Sequence, residues 1–265
     1  MTKFLAILYD SFLEIRNGKI LYLYGCVVLF LLMLFTLIPN VNIMGEDVLN
    51  SDFLTPDLVA KVNGYFFDGY WGFVMFLMVF GTAWLLPSYL SRGRIELALS
   101  KPIDRFSLLS MKFLSVYLIM LSILTVMSVP IWLILSLRLG VFAWSFFYSL
   151  FFSYVIFLCV FAIVFFFGVL SRSGALAVMG YFVISVVGSI LTGREAVYGF
   201  LGETVWTTIL DTIYYILPKL GEMSDNYTAL IAGDGLINGF AIWTSLAFTA
   251  VIYLLTLLVF NRRDY

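Results

Sequence analysis

The chain has 265 residues, of which 63% are apolar and 12% charged, with a mean hydropathy of +1.05 and a formal net charge of −1. Soluble domains carry about 25% charged residues, so this is the composition of a polytopic membrane protein. The small net charge offers no field for nucleic acid. The absence of histidine excludes every mechanism that needs an imidazole as base, acid or metal ligand.

Residues 2–19 come first. Leu5, Leu8, Phe12 and Ile15 recur at helical spacing, while Lys3, Asp10, Glu14 and Asn17 line another face. That pattern predicts an amphipathic helix along the membrane surface, turning inward at Asn17-Gly18. Six apolar runs then reach the length of about 20 residues that a spanning helix needs: near 20–38, 70–90, 113–137, 145–170, 175–192 and 237–260. No cleavable signal is expected, and the first run reads as a retained anchor. Cys26 and Cys159 both sit in such runs and are expected as buried small hydrophobes. Met75 and Met78 share a helical face and read as core packing rather than a copper path.

Charge sets the orientation. With the N-terminus in the cytoplasm, inner segments hold eleven Lys and Arg residues and outer segments four, namely Lys61, Arg138, Arg194 and Lys219. This is the positive-inside bias, and it predicts a multi-pass cell-membrane protein with both termini cytoplasmic. Outside, residues 39–69 read as an acidic solvated loop. Residues 196–217 carry a polar stripe of Thr204, Thr207, Thr208, Asp211 and Thr212 and end at Pro218. A seventh span there would put Arg262 and Arg263 outside, so an interfacial or re-entrant outer helix is expected. Asn226-Tyr227-Thr228 matches a glycosylation sequon that arises often by chance. Small residues four apart in the fifth run, Ser185 with Ser189 and Gly188 with Thr192, suit close helix packing, within one subunit or at a dimer seam. Residues 1–265 form one membrane domain.

The six runs contain no Asp, Glu, Lys or Arg, which removes proton coupling and voltage sensing. Gly18-Lys19 is followed by Ile20, and no glycine lies five positions before Gly18, so the phosphate-binding loop is absent. No cofactor is expected on this chain, and energy for uphill movement must come from another one.

The most distinctive stretch is RGRIELALSKPIDRFSLLSMK, residues 92–112, which holds Arg92, Arg94, Lys101, Arg105 and Lys112. Tyr89 to Leu99 can extend the second span into the cytoplasm. Lys101 before Pro102 should end that helix near Ser100. Asp104 is a fitting N-cap for a helix restarting at Arg105. Apolar Ile95, Leu97, Leu99 and Ile103 are interleaved with the cations, as suits a lever inserted in a partner's groove.

Gly93, Glu96, Leu99, Ser100, Pro102, Arg105 and Lys112 in that stretch resemble the first cytoplasmic loop of type-2 (ABC-2) ABC transporter permeases. FLAILYDSFLEIRNGKILYLY resembles the family's first helix and span. The resemblance implies an all-α membrane protein of six spans, with an N-terminal interfacial helix and outer re-entrant or interfacial helices before the last span. It implies an exporter permease paired with a second permease chain, identical or related, and driven by a separate ATP-binding cassette ATPase. The residues it implies for coupling are Arg94, Glu96, Ser100, Pro102, Arg105 and Arg172, and those for an outer gate are Asp211 and Pro218. From the residues alone, a non-transporting scaffold or sensor that recruits a cytoplasmic partner stays open.

Overall fold

The computed structural model describes residues 2–37, 42–43, 46–47, 56–91, 93–99, 103–139, 142–193 and 205–263. The amphipathic segment is helix α1 (Thr2–Asn17). The chain turns at Gly18-Lys19, where Lys19 takes a left-handed φ of +60°. It enters α2 (Ile20–Leu37), and α1 and α2 meet at a 64° bend. A two-residue antiparallel ladder follows, β1 (Asn42–Ile43) with β2 (Glu46–Asp47). The expected outer loop is shorter than 39–69, because α3 (Pro56–Ala83) begins at residue 56. Pro56 explains the early start: its fixed φ suits the first helical position, where a missing N–H costs nothing.

The second span then breaks at Trp84 and resumes as α4 (Leu85–Tyr89). Pro87 has no N–H to give the Ala83 carbonyl, so the regular ladder cannot run through this point. The predicted extension from Tyr89 to Leu99 is also interrupted. Gly93 adopts φ +86°, open only to glycine at low cost, and separates α4 from the short α5 (Arg94–Leu99). The remaining elements are α6 (Arg105–Leu139), α7 (Ser145–Ser171), α8 (Gly174–Thr192), α9 (Val205–Ile216), α10 (Leu220–Ala232) and α11 (Gly239–Arg262).

Five stretches are long and apolar enough to cross a membrane: 69–89, 105–137, 145–171, 174–192 and 239–262. The bent pair α1–α2 supplies the sixth. The chain is thus an all-α membrane protein with the expected spans. At about 1.5 Å per residue, α9 and α10 reach only about 18–20 Å, too short for a hydrocarbon core of about 30 Å. They form a short helical hairpin where the polar stripe foreshadowed a helix that does not span.

The fourth span, α7, is the axis of the bundle. In its most apolar stretch 67% of residues are buried, against 22% in α8 and in α11, which therefore lie at the rim. It packs against α3, α6, α8, α10 and α11. Its inner face carries an aromatic ladder: Phe113 of α6 lies 4.9 Å from Phe161, 5.0 Å from Phe165 and 4.9 Å from Tyr253 of α11. Such pairs add about 0.5–1.5 kcal/mol each beyond their buried area. Met75 and Met78 are buried in the core, as expected. Cys159 is buried as well, but Cys26 is exposed on α2. The apolar run around Cys26 reflects the surrounding lipid, which accepts a thiol as readily as a core does.

The first two spans touch through Tyr24, whose hydroxyl donates to the Leu77 carbonyl at 2.9 Å. A Cβ at Gly81 would overlap that hydroxyl. Gly81→Ala should therefore destabilise the α2–α3 contact. Alanine gains about 1 kcal/mol over glycine in a helix, but overpacking costs about 1–3 kcal/mol and the lost hydrogen bond about 1 kcal/mol more. The expected result is a lower melting temperature in detergent, partly recovered by Tyr24→Phe in the same chain.

Candidate functional site

The root of the loop between the second and third spans is held by a cluster of ion pairs. Glu14 on α1 accepts from Arg94 Nη1 at 2.8 Å through Oε1 and from Lys112 Nζ at 2.8 Å through Oε2. Asp10, one turn earlier, lies 3.9 Å from Arg94 and 3.7 Å from Lys112. Lys112 is 1% exposed, and its ammonium also sits 4.4 Å over the Tyr89 ring. Helices α1, α4, α5 and α6 therefore meet at one charged hub. The two carboxylates reach it together because they stand four apart on one face of α1.

Burial pushes the Glu14 carboxyl up, and Lys112 and Arg94 beside it more than offset that, so it titrates below its ordinary value of 4.5. A depressed carboxyl adds stability that is complete above its unfolded value and disappears as pH falls through the folded one. The hub should therefore be unchanged between pH 8 and 5 and loosen only below about 4.5, as read by proteolytic release of α1 across a pH series.

The six expected coupling residues separate into different roles. Arg94 belongs to the hub. Arg105 Nη1 donates to the Arg263 carbonyl at 3.0 Å, and Arg263 Nη1 donates to the Val169 carbonyl at 2.8 Å, so the loop, the last helical turn and the end of α7 are tied in series. Arg172 closes α7 with a left-handed φ of +54° and is exposed in the second turn. That turn is pressed on the break of the second span, since a Cβ at Gly174 would stand 2.6 Å from the Trp84 ring. Glu96 points outward, exposed and without an ion pair among the described residues. Ser100 and Pro102 lie outside the described residues. Asp104 caps α6 as expected, accepting from the Ser107 N–H at 2.9 Å, and that bond lowers its carboxyl from its ordinary value.

On the opposite end, α9 and α10 enclose a second polar knot. Asn226 is fully buried. Its Oδ1 accepts from the Ile237 and Asn238 amides at 2.8 Å each, and its Nδ2 donates to the Asn238 carbonyl at 2.8 Å. Asn238 in turn caps α11 and donates to Glu222 Oε2 at 2.6 Å, while the Tyr214 hydroxyl donates to Glu222 Oε1. Lys219 is buried against the Tyr214 ring and donates to the Tyr214 carbonyl at 3.2 Å and to Thr244 Oγ1 at 3.1 Å, a cation at the C-terminus of α9. Pro218 is buried with its carbonyl against Gly188, and Gly221 stands against Thr192. The small pair on α8 thus seats the hairpin within the subunit. Asp211 is half-buried on α9.

The sequence reading missed the hub as a unit, although Asp10 and Glu14 on one helical face were its signal. It also missed Lys219, Glu222 and Asn226. The sequon at Asn226 is structural: an amide with three backbone bonds and no exposure cannot be an acceptor for sugar.

The family model for ABC-2 family transporter proteins matches residues 13–265. Comparison with curated proteins and with solved structures gives no match. With a match covering nearly the whole chain and six apolar spans on the page, the chain belongs to the ABC-2 transporter family, as a multi-pass membrane transport permease.

Proposed function

We propose that this chain is the permease subunit of an ATP-driven exporter, paired with a second permease chain and worked by a separate ATP-binding cassette ATPase coupled through the loop 92–112. Its termini then face the cytoplasm, where the charge bias of the loops places them. The carrying observation is the hub: α1 and the loop are bound by Glu14 into one stiff body at the root of the second and third spans. A docked motor that displaces the loop moves those spans with it, as rigid bodies rather than as a flexible tether. Glu96 is then the docking acid, because the neighbouring cations Arg94 and Arg105 are already held by this chain's own atoms. Asp211 and Pro218 would belong to the outer gate, with the α9–α10 hairpin as its moving part.

Charge reversal at Glu96 separates docking from folding. Glu96→Arg should leave the melting temperature unchanged and lower co-purification with the ATPase, and the permease's stimulation of ATP hydrolysis, about tenfold, or about 1.4 kcal/mol. Undiminished assembly and stimulation would refute the docking role. An ATPase that never co-purifies with the wild-type chain would favour a scaffold instead.

A further inference from the structure

We propose that the groove between α1, α2 and α6 binds the acyl chain of an anionic phospholipid from the leaflet on the α1 side, with Arg16 at the phosphate. The groove encloses about 610 Å³, within the range of about 300–1,000 Å³ typical of small-molecule sites. Leu8 and Phe12 close its surface end, and Tyr24, Val28, Ile123 and Met127 are among the residues of its deeper walls. Its lining is almost wholly apolar: the hydroxyl of Ser122 is spent on the Leu118 carbonyl, and that of Tyr24 on Leu77. Such a cavity offers nothing to a polar ligand and suits a hydrocarbon chain.

Two features select a lipid. The groove is open sideways, with Leu29 and Val126 on its rim 68% and 61% exposed, so a chain enters from the bilayer without crossing a barrier. At the polar end, Leu8, Phe12 and Arg16 follow one another four apart along α1, which places a cation one turn beyond the groove. Arg16 is exposed and makes no ion pair or side-chain hydrogen bond among the described residues. An apolar slot ending beside an unengaged guanidinium at the membrane surface complements a hydrocarbon tail with an anionic head. Gly25 faces open space in the slot, where a Cβ would meet nothing within 4 Å. The proposal needs only the membrane placement of the chain and is independent of ATPase docking.

The test uses the full chain in vesicles containing phosphatidylglycerol with a diazirine in its acyl chain, and in parallel the phosphatidylcholine analogue. After irradiation, adducts are mapped by mass spectrometry. Phosphatidylglycerol adducts should concentrate on residues 24–29 and 119–127. Gly25→Leu projects a side chain into the slot from α2, where its Cβ meets nothing within 4 Å, and Ser122→Leu fills it from the other wall; each should lower those adducts about fivefold or more, equivalent to about 1 kcal/mol. Arg16→Gln should keep the adducts but reduce the preference for phosphatidylglycerol over phosphatidylcholine about fivefold. Adducts spread evenly over α8 and α11 would overturn the site. A photo-crosslinker at Val126 that captures a second copy of the chain would overturn the lipid as occupant. Unchanged headgroup preference in Arg16→Gln would overturn the anionic assignment.

Discussion

Glu14→Gln is expected to lower stability by about 3 kcal/mol and to free α1 from the bundle. Lys112 is 1% exposed, and among the described residues Glu14 supplies its only contact at hydrogen-bond distance, at 2.8 Å. Removing one partner of a buried pair costs about 3–5 kcal/mol, because the other charge is left without compensation. Asp10 at 3.7 Å takes over part of that burden, which places the expected loss at the lower end. Arg94→Gln is the contrast. Its side chain is 40% exposed, and pairs of that kind contribute about 1 kcal/mol or less. The double variant Glu14→Gln, Lys112→Met should recover most of the loss, since it also removes the buried charge that Glu14→Gln alone leaves without compensation. Melting in mild detergent and protease cleavage within α1 measure all three. A Glu14→Gln chain that melts like the wild type would show that the hub does not hold α1.

Asn226→Ala should unseat the α9–α10 hairpin. The substitution leaves the Ile237 and Asn238 amides and the Asn238 carbonyl without their partner. A buried group so deprived costs about 1–3 kcal/mol, giving a loss of roughly 3 kcal/mol or more for the set. Asn238 also caps α11, so the damage spreads to the start of the last span. Thr228→Ala is the matched control. It deletes the sequon while sparing Asn226, because Thr228 Oγ1 donates to the Ser224 carbonyl on its own helix. Thr228→Ala should match the wild type in melting and in electrophoretic mobility, whereas Asn226→Ala should melt earlier. Equal behaviour of the two variants would sink the structural role of Asn226.

The spans were legible in the sequence because a bilayer imposes length and apolarity directly, and the predicted runs agree with their helices within a few residues, save that the third spanning helix begins at Arg105 rather than near 113. The amphipathic start was legible for the same reason, and Asp104 was legible because a cap is a local contact. The loop's interior was not. The cations Arg94 and Lys112 look alike in a charge count, yet one lies 40% exposed and the other 1%. Both are bound by the one carboxylate of Glu14, 80 residues from Arg94 and 98 from Lys112, and no local pattern carries that pairing or the depth of each cation. Gly93 shows the opposite failure. Helical periodicity continued across it, and the positive φ that stops the helix at that point is a property of the backbone turn rather than of the hydrophobic pattern. The knot at Asn226 was hidden because its partners are main-chain atoms, which every sequence supplies equally.

The bond from Arg105 to the Arg263 carbonyl, and from Arg263 to Val169, makes the end of α11 a passenger of the loop between the second and third spans. A fluorophore placed on the last turn of α11 would ride with that loop and report its movement from a position where no loop residue is altered. Trimming the chain before Arg263 would remove more than a tail, because it would untether that loop and the end of α7 at once.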